Sequence, residues 1–592
     1  MLMNFCEILL YVLSGTSVFV AILNKKFEEV LPIFFMLVIV ILYMFGLFGF
    51  LKFSMTTIKN YCTLGFIFSL YVAKNSYINF LKNMFSQSFV VYIFIVSVAF
   101  YFLEGKNTYN WDELNHWAFF SRSIYENNKL LYDVNFTNFS YPPTSNLVHY
   151  FGLNLINKFS TPFLFIIKSM FILSFVFIRF DNLSYINKLL SILFIFVLYF
   201  INIPYLLVDI DIAVIFAYGC LLVFTMNKPI SFYDLIHLCL VIFILTLIKS
   251  SAIFFSLSLV AILVLNIKFN NIKYSFGKKY LYFVSMLPAL IYFSWKIYRS
   301  ISISGMWYIE KQYGSHFLPI ANIDRVLLFF KYFFYNNLFF YPIDRIFRAI
   351  ADFSLSFFYS PGFYLVLLSI IYYFVYIKNQ NNKFIKASLK LNYFIFLSIV
   401  ISYMILHIIL YLTVLGIESG GGPYPSLSRY FSSLIYGYFY ISFFMMLIFN
   451  VLKNSYLKVT VLFALLFMVF LNFSQLYKIK QNSKNIANNN IMIPSFAYKL
   501  PRHSVVCLSL GNNTTKKILD VYEFFLARIN SLGYINLTNN HIKCDYYFIN
   551  IDDKEQYKFI SNDIKLGDLY KVVDKNKNIY EYILNDNFKD SK

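Results

Sequence analysis

Apolar positions run along this chain in unbroken blocks, not in the alternating or one-sided stripes of a soluble fold. The blocks lie at about 5–23, 30–52, 88–103, 162–180, 186–208, 210–226, 234–248, 251–267, 280–299, 357–377, 391–415, 430–450 and 459–473. Most approach the roughly 20 residues that a helix needs to cross a bilayer. A weaker block at 62–73 either spans or lies in the interface. The pair 234–248 and 251–267, broken at Lys249-Ser250-Ser251, reads as two tilted spans or one re-entrant hairpin. Lipid leaves no backbone group unpaired outside helices and closed barrels, so about 13 transmembrane helices are expected.

From about residue 480 the pattern changes. The tail is polar, with strand-like runs Val505-Val506-Cys507-Leu508 and Tyr546-Tyr547-Phe548-Ile549. Between them a helix-like run extends from Thr515 to Leu532 and ends at Gly533. The expected fold is an all-α polytopic membrane protein with a small C-terminal extracytoplasmic α/β domain. Its parts are N-terminal transmembrane helices (1–103), a first large outer loop (104–161), a transmembrane body (162–473) and the small domain (480–592).

Composition narrows the class. Of 592 residues, 59% are hydrophobic and 13% charged, against about 25% charged in ordinary soluble domains. A soluble enzyme, a disordered protein and a disulfide scaffold are excluded. The formal charge of +21 would point to nucleic acid in a soluble protein. Here much of it sits in short loops, where it reports topology, and no nucleic-acid partner is expected. Six cysteines, most of them inside apolar blocks, make no disulfide framework; Cys507 and Cys544 could pair in an oxidising compartment. The abundance of Phe, Tyr, Ile, Asn and Lys reflects biased codon usage, so aromatic counts mark no site.

Four basic, acid-poor segments, 179–188, 268–279, 378–390 and 451–458, fall on one side when the spans alternate. That side is expected to be cytoplasmic. The opposite side receives 104–161, the turn near 209, 300–356, 416–429 and the tail. Topology before residue 104 stays open, and 1–23 reads as a first span, not a cleaved signal.

The first outer loop carries Asn110-Trp111-Asp112-Glu113-Leu114-Asn115-His116-Trp117. Adjacent carboxylates at a membrane surface are either solvated or functional, since desolvating them is costly. The bland reading is two solvated acids in an aromatic belt. The sharper one is a pocket in which one carboxylate acts as base and the other orients a substrate or metal. His116 stands three residues after Glu113 and four after Asp112, a spacing that could hold a divalent metal with Asp209 or Asp211. Hydrogen bonding to a neighbouring carboxylate or a head group is the alternative. Further on, Tyr141-Pro142-Pro143-Thr144 fixes an extended entry to a helix-like run from Ser145 to Lys158.

An acid pair in the first large outer loop, a downstream Tyr-Pro-Pro and a many-spanning body resemble the GT-C glycosyltransferases. The nearest branch is the protein O-mannosyltransferase and aminoarabinose-transferase superfamily of bacterial membrane enzymes. The resemblance implies a loop Asp or Glu as catalytic base, falling on Asp112 and Glu113, with Tyr141-Pro142-Pro143 as the second matching element. It implies a polyprenyl-phosphate sugar donor and transfer on the extracytoplasmic side of the bacterial inner (plasma) membrane. The acceptor would be a glycan, lipid or protein, and membrane lipid surrounds the enzyme. In that family the acidic loop follows the first span. Here three or four spans precede it, which implies an N-terminal extension or a more distant relationship.

Other polar residues stand at the same expected membrane face. Asp209 and Asp211 either mark a helix start, where the dipole favours acids, or form a second carboxylate site. Lys249 either snorkels or binds a phosphate. Arg429, following Gly420-Gly421-Gly422-Pro423 and opening a span, either snorkels or binds a lipid phosphate bidentately. A polysaccharide polymerase, ligase or flippase is the rival reading. A secondary transporter is a third, for which the spans hold few acids and show no clear repeat.

Overall fold

The computed structural model describes residues 1–106, 113–130, 141–200, 205–206, 208–226, 229–269, 277–302, 327, 383–410, 427–448, 455–488, 505–509, 531–535, 546–548, 569–574 and 579–582. The chain forms two compact units: Met1–Lys106 with Phe120–Lys480, and Asn107–Phe119 with Gln481–Lys592.

The first unit is helical. Its described helices are α1 (Leu2–Leu23), α2 (Phe27–Leu47), α3 (Leu51–Val72), α4 (Tyr77–Met84), α5 (Gln87–Leu103), α6 (Phe119–Asn127), α7 (Thr144–Leu155), α8 (Thr161–Ser174) and α9 (Tyr185–Leu198). They continue as α10 (Asp209–Thr225), α11 (Phe232–Thr246), α12 (Ile253–Phe269), α13 (Lys278–Ser302), α14 (Lys383–Leu410), α15 (Leu427–Ile448) and α16 (Ser455–Asn488). Among the described residues six helical stretches are long and apolar enough to cross a membrane: Leu2–Leu23, Phe27–Leu47, Tyr77–Leu103, Thr161–Asn182, Ser250–Lys268 and Lys279–Ile301. This is a mostly helical, membrane-like protein.

Local chemistry sets the boundaries. Asn24 ends α1 in the left-handed conformation, at φ 48°. Ser231 starts α11 through a reciprocal capping box with Asp234, each backbone N–H donating to the other's side chain at 3.1 Å. Glycine brings helix backbones close together at Gly65 and Gly437. A Cβ on Gly65 of α3 would lie 2.7 Å from the Ser14 carbonyl oxygen of α1, and one on Gly437 of α15 would lie 3.3 Å from that of Ala213 in α10.

One end of the bundle is stitched by polar contacts between helix termini. Lys26 Nζ donates to Asn182 at 2.9 Å, and Lys188 Nζ donates to Gln87 at 2.6 Å. Glu28 accepts from the Asp181 backbone N–H at 2.7 Å, while Asp181 accepts from the backbone N–H and hydroxyl of Ser88 at 2.8 and 3.0 Å. Arg179 donates to the Thr225 carbonyl at 2.9 Å, and Asn187 to that of Leu447 at 3.1 Å. The starts of α2, α5 and α9 therefore meet the ends of α10 and α15. The starts of α10 and α15 consequently share the opposite end.

Several sequence expectations change. The weak block at 62–73 is part of the full-length helix α3, packed along α1; Lys52 and Lys59 had masked its first half. The block at 162–180 is helical only to Ser174 before giving way to short 3-10 turns. The pair around Lys249 forms two separate helices, α11 and α12. The block at 357–377 lies outside the described residues.

In the second unit, β1 (Val505–Ser509), β2 (Ser531–Ile535), β3 (Tyr546–Phe548), β4 (Leu569–Asp574) and β5 (Ile579–Tyr582) form one sheet in the order β2-β1-β3-β4-β5. Strand β1 is parallel to β2 and β3; the remaining pairs are antiparallel. Ser531–Ile535, Gly533 included, pairs with β1 as a strand, so Ser531 and Leu532 do not belong to the helix expected to run from Thr515 to Leu532. Ladder pairing overrides the capping signal of the glycine. Residues 515–530 and Cys544 lie outside the described residues.

Candidate functional site

Helix α10 places Asp209 and Asp211 in its first turn. Both are buried. Lys249, at the corner between α11 and α12, is 4% exposed and its Nζ donates to Asp209 Oδ1 at 2.8 Å. It therefore does not snorkel into solvent. Lys168, in the middle of α8, is 5% exposed and lies 3.2 Å from Asp211 Oδ2. It also donates to the Tyr205 carbonyl at 3.1 Å. The four charges sum to zero. Pairing of this kind is what burial demands, since removing one partner from a buried pair costs about 3–5 kcal/mol. Asp211 is 14 residues from Thr225, about 21 Å along α10 from the stitched end.

The Tyr141-Pro142-Pro143-Thr144 segment docks at the same place. The Thr144 backbone N–H donates to the Leu247 carbonyl at 3.0 Å, and its hydroxyl to that of Ile244 at 3.4 Å. Two prolines supply no N–H of their own, so Thr144 makes the first backbone contact, two residues from Lys249. Tyr141 is half-buried. Helix α7, 12 residues long and too short to span, is buried along nearly its whole length.

A second polar group lies between α6 and α7. Ser121 Oγ and His149 Nδ1 are 2.6 Å apart, and Asn146 Nδ2 donates to Ser121 at 3.1 Å. Arg122 is buried with its Nε 3.0 Å from Glu126. Burial first, and the positive charge of Lys168 second, push His149 down from 6.5 to about 3, so its ring is neutral at physiological pH. With Ser121 donating to Nδ1, the ring proton sits on Nε2, which has no hydrogen-bond partner among the described residues. His149 thus links the α6–α7 pair electrostatically to the Lys168–Asp211 pair.

No known protein family, no characterised protein and no solved structure matches this chain.

The remaining expected residues divide. Glu113 is 1% exposed and begins a π-helical turn, Glu113–Ala118, in the second unit. The backbone hydrogen bonds of such a turn run from i to i+5, not i to i+4 as in an α-helix. Asp112 lies outside the described residues. Arg429 lies in the first turn of α15, at the end of the bundle where α10 also begins. Among the described residues no group of three or more His, Cys, Asp or Glu is gathered as a metal would require. His407 is buried, with Nδ1 3.1 Å from the Tyr403 carbonyl.

Sequence reasoning missed Lys168, Ser121, Asn146 and His149. Lys168 had a readable signal: it is the one charge between Lys158 and Arg179, and an ionisable residue inside a span marks function or a buried partner. The other three carry no pattern, because a single Ser, Asn or His in a helical run is ordinary.

Proposed function

We propose that this chain is an integral membrane glycosyltransferase of GT-C type. It transfers a sugar from a polyprenyl-phosphate donor to a cell-envelope acceptor on the extracytoplasmic face of a bacterial inner membrane. About 13 spans carry the site, and the C-terminal unit is a small α/β domain on that same face. The observation that carries the reading is the docking of the Tyr141–Thr144 segment beside Lys249, with Asp209, Asp211 and Lys168 buried around it. The segment that follows the acid pair in sequence is thereby packed against a cluster of buried charges. The stitched end, rich in Lys25, Lys26, Arg179 and Lys188, supports its assignment as cytoplasmic.

In the reaction, Asp112 takes the proton of the acceptor hydroxyl as its oxygen attacks the anomeric carbon. The bond from that carbon to the phosphate oxygen breaks, and polyprenyl phosphate leaves with the electron pair. Glu113 orients the acceptor, and His116 and Tyr141 contribute to substrate binding. Charge grows on the phosphate as the sugar departs, and fixed cations there stabilise the transition state. Lys249 and Arg429 take that role. Because Lys249 is paired with Asp209 and the four-charge cluster is neutral, an arriving phosphate must draw Lys249 from Asp209 or rely on Arg429. Asp209 and Asp211 hold the lysines in place between turnovers.

The pairing of both lysines also favours a second reading, a polysaccharide polymerase, ligase or flippase, in which the cluster only compensates charge. Purified protein in lipid with radiolabelled polyprenyl-phosphate sugars separates the two. Label transferred to an acceptor, or released by slow hydrolysis, is the expected result. Label moved between leaflets without cleavage would end the transferase reading.

A further inference from the structure

Helix α1, α3 and the corner between α4 and α5 enclose a groove of about 540 Å³, a volume typical of a ligand site. Its walls include Leu10, Leu13, Phe66, Phe85 and Phe89, and its flanking helices α1 and α5 lie in candidate spans.

One charge lines this apolar groove and a second stands beside its wall. Glu7 lines it and has no hydrogen bond or ion pair to any described residue. Tyr11, one helical turn on and on the same face, also lines it, and Lys59 Nζ lies 5.7 Å from its ring centroid. Lys59 Nζ donates to the Leu155 carbonyl at 3.2 Å and to the Asn157 side chain at 3.4 Å, which leaves its third N–H for a ligand. Glu7 is 17 residues from Asn24, about 25 Å along α1 from the stitched end. An anion and a cation therefore stand towards the end of α1 away from the stitched end.

We propose that this groove binds one aminophospholipid. Its ammonium sits on Glu7, its phosphate on Lys59, and one acyl chain runs between Leu10, Phe66 and Phe89. The complementarity is to a head group carrying both charges. A lipid with phosphate alone leaves Glu7 unmatched and brings a second anion beside it. The site stands apart from the sugar-transfer reading and does not depend on it.

The test is lipid-selective quenching of a tryptophan in the groove, Leu10→Trp, in bilayers of mixed phosphatidylethanolamine and phosphatidylglycerol with bromine on the chains of one or the other. Brominated phosphatidylethanolamine is expected to quench about threefold more efficiently, the worth of one partly exposed ion pair. Adding Glu7→Gln should remove the preference. Equal quenching by the two lipids, a preference that survives Glu7→Gln, or displacement by polyprenyl phosphate alone overturns the proposal. Should Leu10→Trp fail to fold, native mass spectrometry of the wild-type protein decides the matter. One retained phosphatidylethanolamine supports the site, and retained phosphatidylglycerol or none overturns it.

Discussion

The two ends of the helical unit bury polar groups in different ways. At the stitched end, side chains meet backbone: Arg179 on the Thr225 carbonyl, Glu28 on the Asp181 N–H, Asp181 on the Ser88 N–H. These contacts satisfy helix termini, which carry unpaired N–H and C=O groups in any helix. At the other end, buried charges of opposite sign meet directly: Lys249 on Asp209 and Lys168 on Asp211. No helix terminus requires a lysine in the middle of α8. The first arrangement is explained by the fold alone, and the second is not, which is why it carries the functional proposal.

The sharpest way to break the comparison is to ask whether the two ends face opposite sides of a membrane. Lys74 and Glu104 are both exposed, beyond α3 and α5 respectively. In a background without Cys6, which is also exposed, Cys507 or Cys544, a cysteine at position 104 should react with a membrane-impermeant maleimide in intact cells. One at position 74 should react only after lysis. A cysteine near Asn512 should behave as position 104 does. The reverse pattern would invert the orientation and move the acid pair to the cytoplasm.

The largest chemical effect is expected at Asp112. Asp112→Asn should lower transfer about 10²–10⁴-fold, the usual loss for a general base, with expression and helicity unchanged. Activity above about half that of the wild type would shift the base to Glu113 or Asp209.

Next comes the pair that needs a reason to exist. Lys168→Met leaves Asp211 buried and unmatched and should cost about 3–5 kcal/mol in detergent unfolding, while Lys168→Met with Asp211→Leu should recover most of it. At the stitched end, Glu28→Gln keeps a carbonyl to accept from Asp181 and should cost under about 1.5 kcal/mol, the net worth of an ordinary hydrogen bond. Equal losses at both ends would erase the distinction drawn above.

What the sequence made legible follows the same division. Block length and loop charge identified a membrane protein and placed Asp209, Asp211 and Lys249 at one end, since each stands at a block boundary. The sequence did not show which charges pair, because partners 40 and 43 residues apart meet only through packing. The orientation of α1 to α5 was hidden for a related reason. Its markers, Lys26 on Asn182 and Lys188 on Gln87, are tertiary contacts, and α3 is too polar to count as a span by composition. In the tail the apolar runs found β1 and β3, whereas Gly533 misled, because a glycine can end a helix or sit inside a strand.

The smallest expected effect tests whether His149 belongs to the charged cluster. Its imidazole is held down at about 3 by burial and by Lys168, against 6.5 in the unfolded chain. Below about pH 6.5 the unfolded chain binds a proton that the folded chain refuses, so stability falls with pH through that window and levels off near 3. His149→Asn keeps an acceptor for the Ser121 hydroxyl and removes the titrating ring. The wild type should therefore lose more stability than the variant as pH drops from 6.5 towards 3, and the gap should narrow when Lys168→Met is added to both. Parallel pH profiles would mean that His149 is not held neutral by its surroundings. A gap indifferent to Lys168 would leave burial as the whole cause and cut the link between the α6–α7 pair and the charges on α8 and α10.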